Sequence, residues 1–188
     1  MLATANISVI LSSGGTHMQT YFFDVEIEEL DREDETWIDF FATRSFSAMF
    51  SWMDFQTYLS CDVEAETPSE ALEMVLTEIA KTDLSVLRVV VDLIGVQDIA
   101  IDYSVSRETA RLWANGHRRN GFPKRYTQVG NKSAWARSDV HAWAVKNNLA
   151  REATEQPLPI DVVEMFNGDL ARSRIGNELR PVTVSLSE

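Results

Sequence analysis

Between Thr20 and Glu28 the chain alternates Phe23, Val25 and Ile27 with Asp24, Glu26 and Glu28, the two-residue period of a half-buried strand. Asp31 to Thr43 opens acidic and then sets Trp37, Phe40 and Phe41 at helical spacing, which predicts a short helix. Phe46 to Trp52 alternates again. So does Thr57 to Glu66, with Leu59, Cys61, Val63 and Ala65 on one face, and the two runs predict a hairpin. Thr67-Pro68-Ser69-Glu70 supplies a cap, a proline at the first helical position and a Glu able to return a bond to the cap. Ala71, Leu72, Val75, Leu76 and Ile79 make the apolar stripe of the helix that follows. Leu87 to Val91, apolar but for Arg88, reads as a strand suited to a sheet interior. Strand, helix, strand, strand, helix, strand is the βαββαβ order, so residues 18–92 are expected to form an α+β, ferredoxin-like domain. Its aromatic residues, among them Trp37, Phe41 and Phe50, suit a packed core better than a ligand pocket.

Asp92 to Gly95 runs on without a Pro, Ser or Gly-rich linker, which predicts a rigid junction with a second domain over residues 93–149. There Ile99 and Ala100 are the inner residues of a short helix, and Asp102 to Val105 make a tight turn. Ser106 caps a second helix running to about Asn115, with Ala110 and Trp113 on its inner side. Gly121-Phe122-Pro123 makes a turn. Lys124 to Val129 and Lys132 to Ala136 then pair as a hairpin around Gly130-Asn131, and Ser138 caps a third helix with Val140, Trp143 and Ala144 inward. At the ends, residues 1–17 read as a disordered leader, with Met18 an alternative start. Residues 150–188 read as a linker ("REATEQPLP"), a helix over 160–174 and a tail.

Charge sharpens this division. The 188 residues carry a formal net charge of −12, but residues 1–95 carry −14, residues 96–149 carry +5 and residues 150–188 carry −3. A basic block inside an acidic chain is the electrostatic footprint of a nucleic-acid surface, although a solvated face balancing its neighbour has the same composition. On the second helix of the block, Arg107, Glu108, Thr109 and Arg111 are left pointing outward from the first turns behind the Ser106 cap. Residues so placed reach base edges in the major groove, and an arginine fork matches O6 and N7 of guanine. Arg118 and Arg119 precede the hairpin, and Lys124, Arg125 and Lys132 lie on it as a basic wing suited to phosphates. Glu108 can accept from cytosine or simply strengthen a helix N-terminus. Trp113, Trp135 and Trp143 suit a small core better than base stacking.

The stretches "IAIDYSVSRETARLWANG", "GFP" and "WARSDVHAWA" resemble helix-turn-helix proteins found largely in actinobacteria and their phages, related to the winged helices of the MerR and excisionase type. Such proteins usually carry Gly in the turn where this chain has Ser104, and often "GPG" before "FP" where it has Arg119-Asn120-Gly121. The resemblance implies a winged helix-turn-helix bound to double-stranded DNA, behind a domain that dimerises or senses a small effector or protein partner. One helix and one wing read few base pairs, so a homodimer is expected.

No phosphate-cradling glycine loop, nucleophile elbow or His-Glu metal helix occurs, so catalysis and cofactors are not expected. One cysteine, Cys61, excludes an internal disulfide and fits a reducing cytoplasm, and His117 and His141 read as surface histidines without metal-ligand companions. No apolar run approaches the ~20 residues that span a bilayer. The expectation is a cytoplasmic transcriptional regulator. Two other readings remain open at this point: an excisionase-like factor that bends DNA, and an acidic interaction module or antitoxin.

Overall fold

In the first strand, β1 (Gln19–Ile27), the alternation of the sequence becomes a buried row of Tyr21, Phe23, Val25 and Ile27. The computed structural model of this mixed α+β protein describes residues 18–28, 30, 36–53, 55–150 and 155–178. The leader of residues 1–17, the acidic run 31–35 and the end of the tail lie outside them. The chain continues through α1 (Thr36–Ala42), β2 (Ser47–Met53), β3 (Gln56–Ala65), α2 (Pro68–Ile79) and β4 (Val86–Val89). The strands lie in the order β2-β3-β1-β4, each pair antiparallel. Leu59, Cys61, Val63 and Ala65 of β3 continue the buried row, and Phe41 of α1 and Ala71, Leu72, Val75 and Ile79 of α2 pack into the same cluster.

The start of α2 departs in one detail from the reciprocal cap expected. Thr67 Oγ1 accepts from Glu70 N–H at 3.2 Å, but the Glu70 carboxylate accepts from Glu66 N–H at 3.0 Å, one residue before the cap. Glu26, an outward position by alternation, is 6% exposed. It is held there by Gln56 Nε2 at 2.8 Å and Arg88 Nε at 2.5 Å, partners that offset the cost of burying a carboxylate. The Cys61 thiol is also buried, and its pKa is pushed up by burial and then by Asp24 and Asp62. The proton stays on, as expected of an inert small hydrophobe.

β4 is an edge strand rather than the interior strand its apolar run suggests. Among the described residues it pairs only with β1, Leu87 and Arg88 are exposed, and Val89 is its one fully buried residue. What covers it comes from residues 155–178, where the sequence predicts a linker and then a helix over 160–174. β8 (Glu155–Pro157) pairs in parallel with Thr20–Phe22, filling the length of β1 that β4 leaves free. The last helix, α6 (Ile160–Glu178), then runs beside β4. Asn167 accepts from Val89 N–H and donates to Val89 C=O, both at 2.8 Å, so one side-chain amide completes the ladder where a further strand would. Arg174 donates to the carbonyls of Val86 and Leu87. Leu158 and Val163 return the chain to the first core.

Between β4 and β8 lies a second unit with its own apolar cluster. It comprises β5 (Leu93–Ile94), α3 (Val96–Asp102), α4 (Arg107–Ala114), β6 (Thr127–Val129), β7 (Lys132–Ala136) and α5 (Arg137–Lys146). Its three strands lie in the order β5-β7-β6. Trp113, Trp135 and Trp143 are 2–5% exposed, and Trp143 packs against Trp113 and Phe122 with ring centroids 5.4 and 4.8 Å away. All three tryptophans belong to this core.

The edge closure by Asn167 is testable. Asn167→Leu keeps the bulk of the side chain but leaves the Val89 N–H and C=O unpaired. It should lower unfolding free energy by about 1–3 kcal/mol in chemical denaturation, and an unchanged midpoint would remove Asn167 from the fold's support.

Candidate nucleic-acid interface

The placement of α4 begins with how α3 stops. Val105 N–H reaches Ala100 C=O at 2.9 Å and Ser104 N–H reaches Ile101 C=O at 3.1 Å, the paired bonds of a Schellman end, with Ser104 at φ 51°. This left-handed position is where glycine is normally placed, and Ser104 accepts the strain instead. Two residues later Ser106 turns back to extended geometry, and its Oγ accepts from Thr109 N–H at 3.1 Å. A helix end and a helix start are thus fused within Tyr103–Ser106. Ala110 and Trp113 face the core, and Arg107, Glu108 and Arg111 are left exposed on the first turns of α4. α4 ends in the same way, through Gly116 at φ 70°, and α5 through Asn148 at φ 56°.

On that exposed surface Arg111 does not hang free. Its Nε and Nη2 donate to the two oxygens of Glu108 at 2.9 and 2.7 Å. This bond holds the Glu108 carboxyl below and the Arg111 guanidinium above their ordinary pKa ranges. Both therefore stay charged at neutral pH. Because Glu108 occupies the Nε edge, the end-on fork of Arg111 is the part left open. Arg107 forms no side-chain hydrogen bond or ion pair among the described residues, whereas Thr109 Oγ1 lies 2.9 Å from Ser106 Oγ and is engaged in the cap.

The remaining basic residues divide by what they touch. Arg118, Lys124 and Lys132 are exposed and carry no side-chain partner among the described residues. Arg119, at φ 62°, donates to Asn147 C=O at 2.9 Å, so part of its fork caps the end of α5. Arg125 bonds Gln128 and reaches Ser133 Oγ at 3.5 Å, which ties it to the hairpin. Arg119, Lys124 and Arg125 come together around a cavity of about 640 Å³ between the end of α4 and the hairpin, with Asn115 and Ser133 in its wall. Arg107, Arg111 and Lys132 lie outside it.

The hairpin is shorter than its sequence suggests. β6 spans Thr127–Val129, so Lys124 and Arg125 precede the ladder rather than belonging to it, after a proline that has no N–H to give. The third helix starts earlier than expected: Ala136 is its cap position, and Ser138 falls inside the first turn. The reason is Arg137. Its N–H donates to Asp92 C=O at 2.9 Å, which satisfies a helix-start donor without a capping side chain. Its guanidinium bonds Asp92 at 2.7 Å and also Asp102. Arg137 therefore joins the exit of the large sheet to the end of α3, a role sequence reasoning did not assign. His117 is exposed, but His141 is half-buried with Nε2 unpartnered among the described residues, unlike the surface position expected of it. No metal-binding group of His, Cys, Asp or Glu occurs among the described residues, nor is any helix there long and apolar enough to cross a membrane.

No protein-family model matches this chain, and no curated protein or solved structure matches it significantly.

The strained turn makes a direct prediction. Ser104→Gly should raise unfolding free energy by about 0.5–1 kcal/mol, the left-handed penalty less the entropy glycine loses on folding. A lower melting temperature would mean that Ser104 is stabilised there by more than its backbone.

Proposed function

We propose that the protein is a sequence-specific DNA-binding regulator, in which the inserted basic unit is a winged helix-turn-helix and the acidic sheet unit has the ferredoxin-like fold. The antiparallel order β2-β3-β1-β4 with its two helices supports the second assignment. The turn at Tyr103–Ser106, the β6–β7 hairpin and the following helix support the first. The observation that carries the reading is α4: Ala110 and Trp113 are buried on one side while Arg107, Glu108 and Arg111 stand exposed on the other, within the part of the chain whose net charge is +5.

In this reading α4 enters the major groove from its capped end. Arg107 and Arg111 contact base edges, with Glu108 holding Arg111 so that its end-on fork meets guanine O6 and N7. Ser106 and Thr109 position the helix start. Lys124, Lys132 and Arg118, with the free parts of Arg119 and Arg125, lie against phosphates and supply affinity and register. The protein acts by occupying its site, without catalysis.

In vitro selection of duplexes bound by the full chain tests the reading, with the variants measured on the selected site. One sequence motif should be enriched. Arg107→Ala or Arg111→Ala should cost about 1–3 kcal/mol on it and relax preference at one position. Lys124→Ala or Lys132→Ala should weaken all duplexes alike and reduce the salt slope by about one. Selection without enrichment would overturn sequence-specific recognition. Equal losses on all sequences for the α4 variants would leave Arg107 and Arg111 as phosphate contacts only.

A further inference from the structure

The large sheet treats its two edges differently. β8, α6, Asn167 and Arg174 close the β4 side. On the other side β2 pairs only with β3 among the described residues, in an unbroken register from Ser47–Asp62 to Met53–Gln56. Open edges are normally blunted by a lysine, a proline, a bulge or a cover. Among the described residues β2 has none of these, and its own residues are Ser, Ala, Met, Phe, Ser, Trp and Met, in a chain of which 24% is charged. Around it stand Met49 and Met53, 66% and 62% exposed, and Phe55, 93% exposed at φ 67°. Ile38, 52% exposed, belongs to α1, the helix packed against β2.

We infer that β2 pairs antiparallel with β2 of a second copy of this chain, making a two-fold dimer through a continuous sheet. A two-fold contact brings identical surfaces together. Over most of a region with net charge −14 this would oppose like charges, and the uncharged β2 edge is where two copies approach without that cost. The paired backbones satisfy each other's open hydrogen-bonding groups. Met49, Met53, Phe55 and Ile38 supply the apolar surface around them. A seven-residue strand spans about 23 Å, the length of edge the two copies would share. The inference stands on the sheet edge and not on the DNA reading, and its test contains no DNA.

Sedimentation and light scattering of the full chain should show a dimer. The double variant Met49→Lys/Met53→Lys places like charges across the two-fold contact, so its dimer dissociation constant should rise by at least about 100-fold, with the far-ultraviolet circular dichroism unchanged. The control Met165→Lys/Ile175→Lys alters two similarly exposed apolar residues of α6 and should leave the dimer intact. A monomeric native chain overturns the proposal. So does a β2 variant that stays folded and dimeric, or an α6 control that dissociates as readily.

Discussion

Arg137 is the point at which both units of the molecule are held. Its backbone N–H and its guanidinium both engage Asp92, where the chain leaves the large sheet, and the guanidinium also engages Asp102 at the end of α3. β7 ends and α5 begins at the same residue. Loss of this cation would leave two carboxylates facing each other, free the start of α5 and loosen the seat of α3. The orientation of α4 follows from α3, because only the strained turn at Ser104 and the Ser106 cap separate them. Arg137 is thus one of the links that fix the exposed arginines of α4 relative to the acidic sheet, together with the packing of α5 beside β8.

The order of the chain reinforces that arrangement. The basic unit is inserted between β4 and β8 of the acidic unit, so the chain passes between them twice, near Val90–Asp92 and again before Glu155. A body that carries negative charge is thereby kept beside one that carries positive charge. Screening shortens the reach of such a field to about 8 Å at physiological salt. Repulsion of phosphates by the sheet unit therefore matters only where DNA lies close to it. In the proposed complex this disfavours binding modes in which the duplex strays from α4 and the hairpin, and leaves the mode centred on them.

The parts of this fold legible in the sequence are those with enough residues to display a period. β1 and β3 show their alternation, α2 its stripe and cap, and α4 its serine followed by inward Ala110 and Trp113. β5 and β8 have two and three residues, too few for any period, and their partners β7 and β1 are distant in the chain. β4 looked interior because Val89 to Val91 are all apolar, and only the tertiary role of Asn167 shows why an apolar strand can lie at an edge. Ser138 looked like a cap because no local pattern reveals that Asp92 accepts the Arg137 N–H. At the candidate site, exposure of Arg107 and Arg111 followed from helical spacing. The clasp of Glu108 on Arg111 is an i,i+3 contact that spacing allows but does not require. The partial use of Arg119 could not be read locally, since it depends on how α5 folds back beside it, whereas Arg125 meets Gln128 three residues on, a contact that spacing allows but does not require.

In the proposed complex the basic unit meets DNA through the first turns of α4 and the hairpin beside it. Backbone amide chemical shifts of the full chain, followed by NMR as a short duplex is added at low salt, test this most directly. The largest changes should cluster at Ser106 to Arg111 and at Lys124 to Lys132, while α1 and α2 stay unmoved. Changes centred on the acidic sheet unit, or none at all at duplex concentrations where basic modules bind non-specifically, would contradict it.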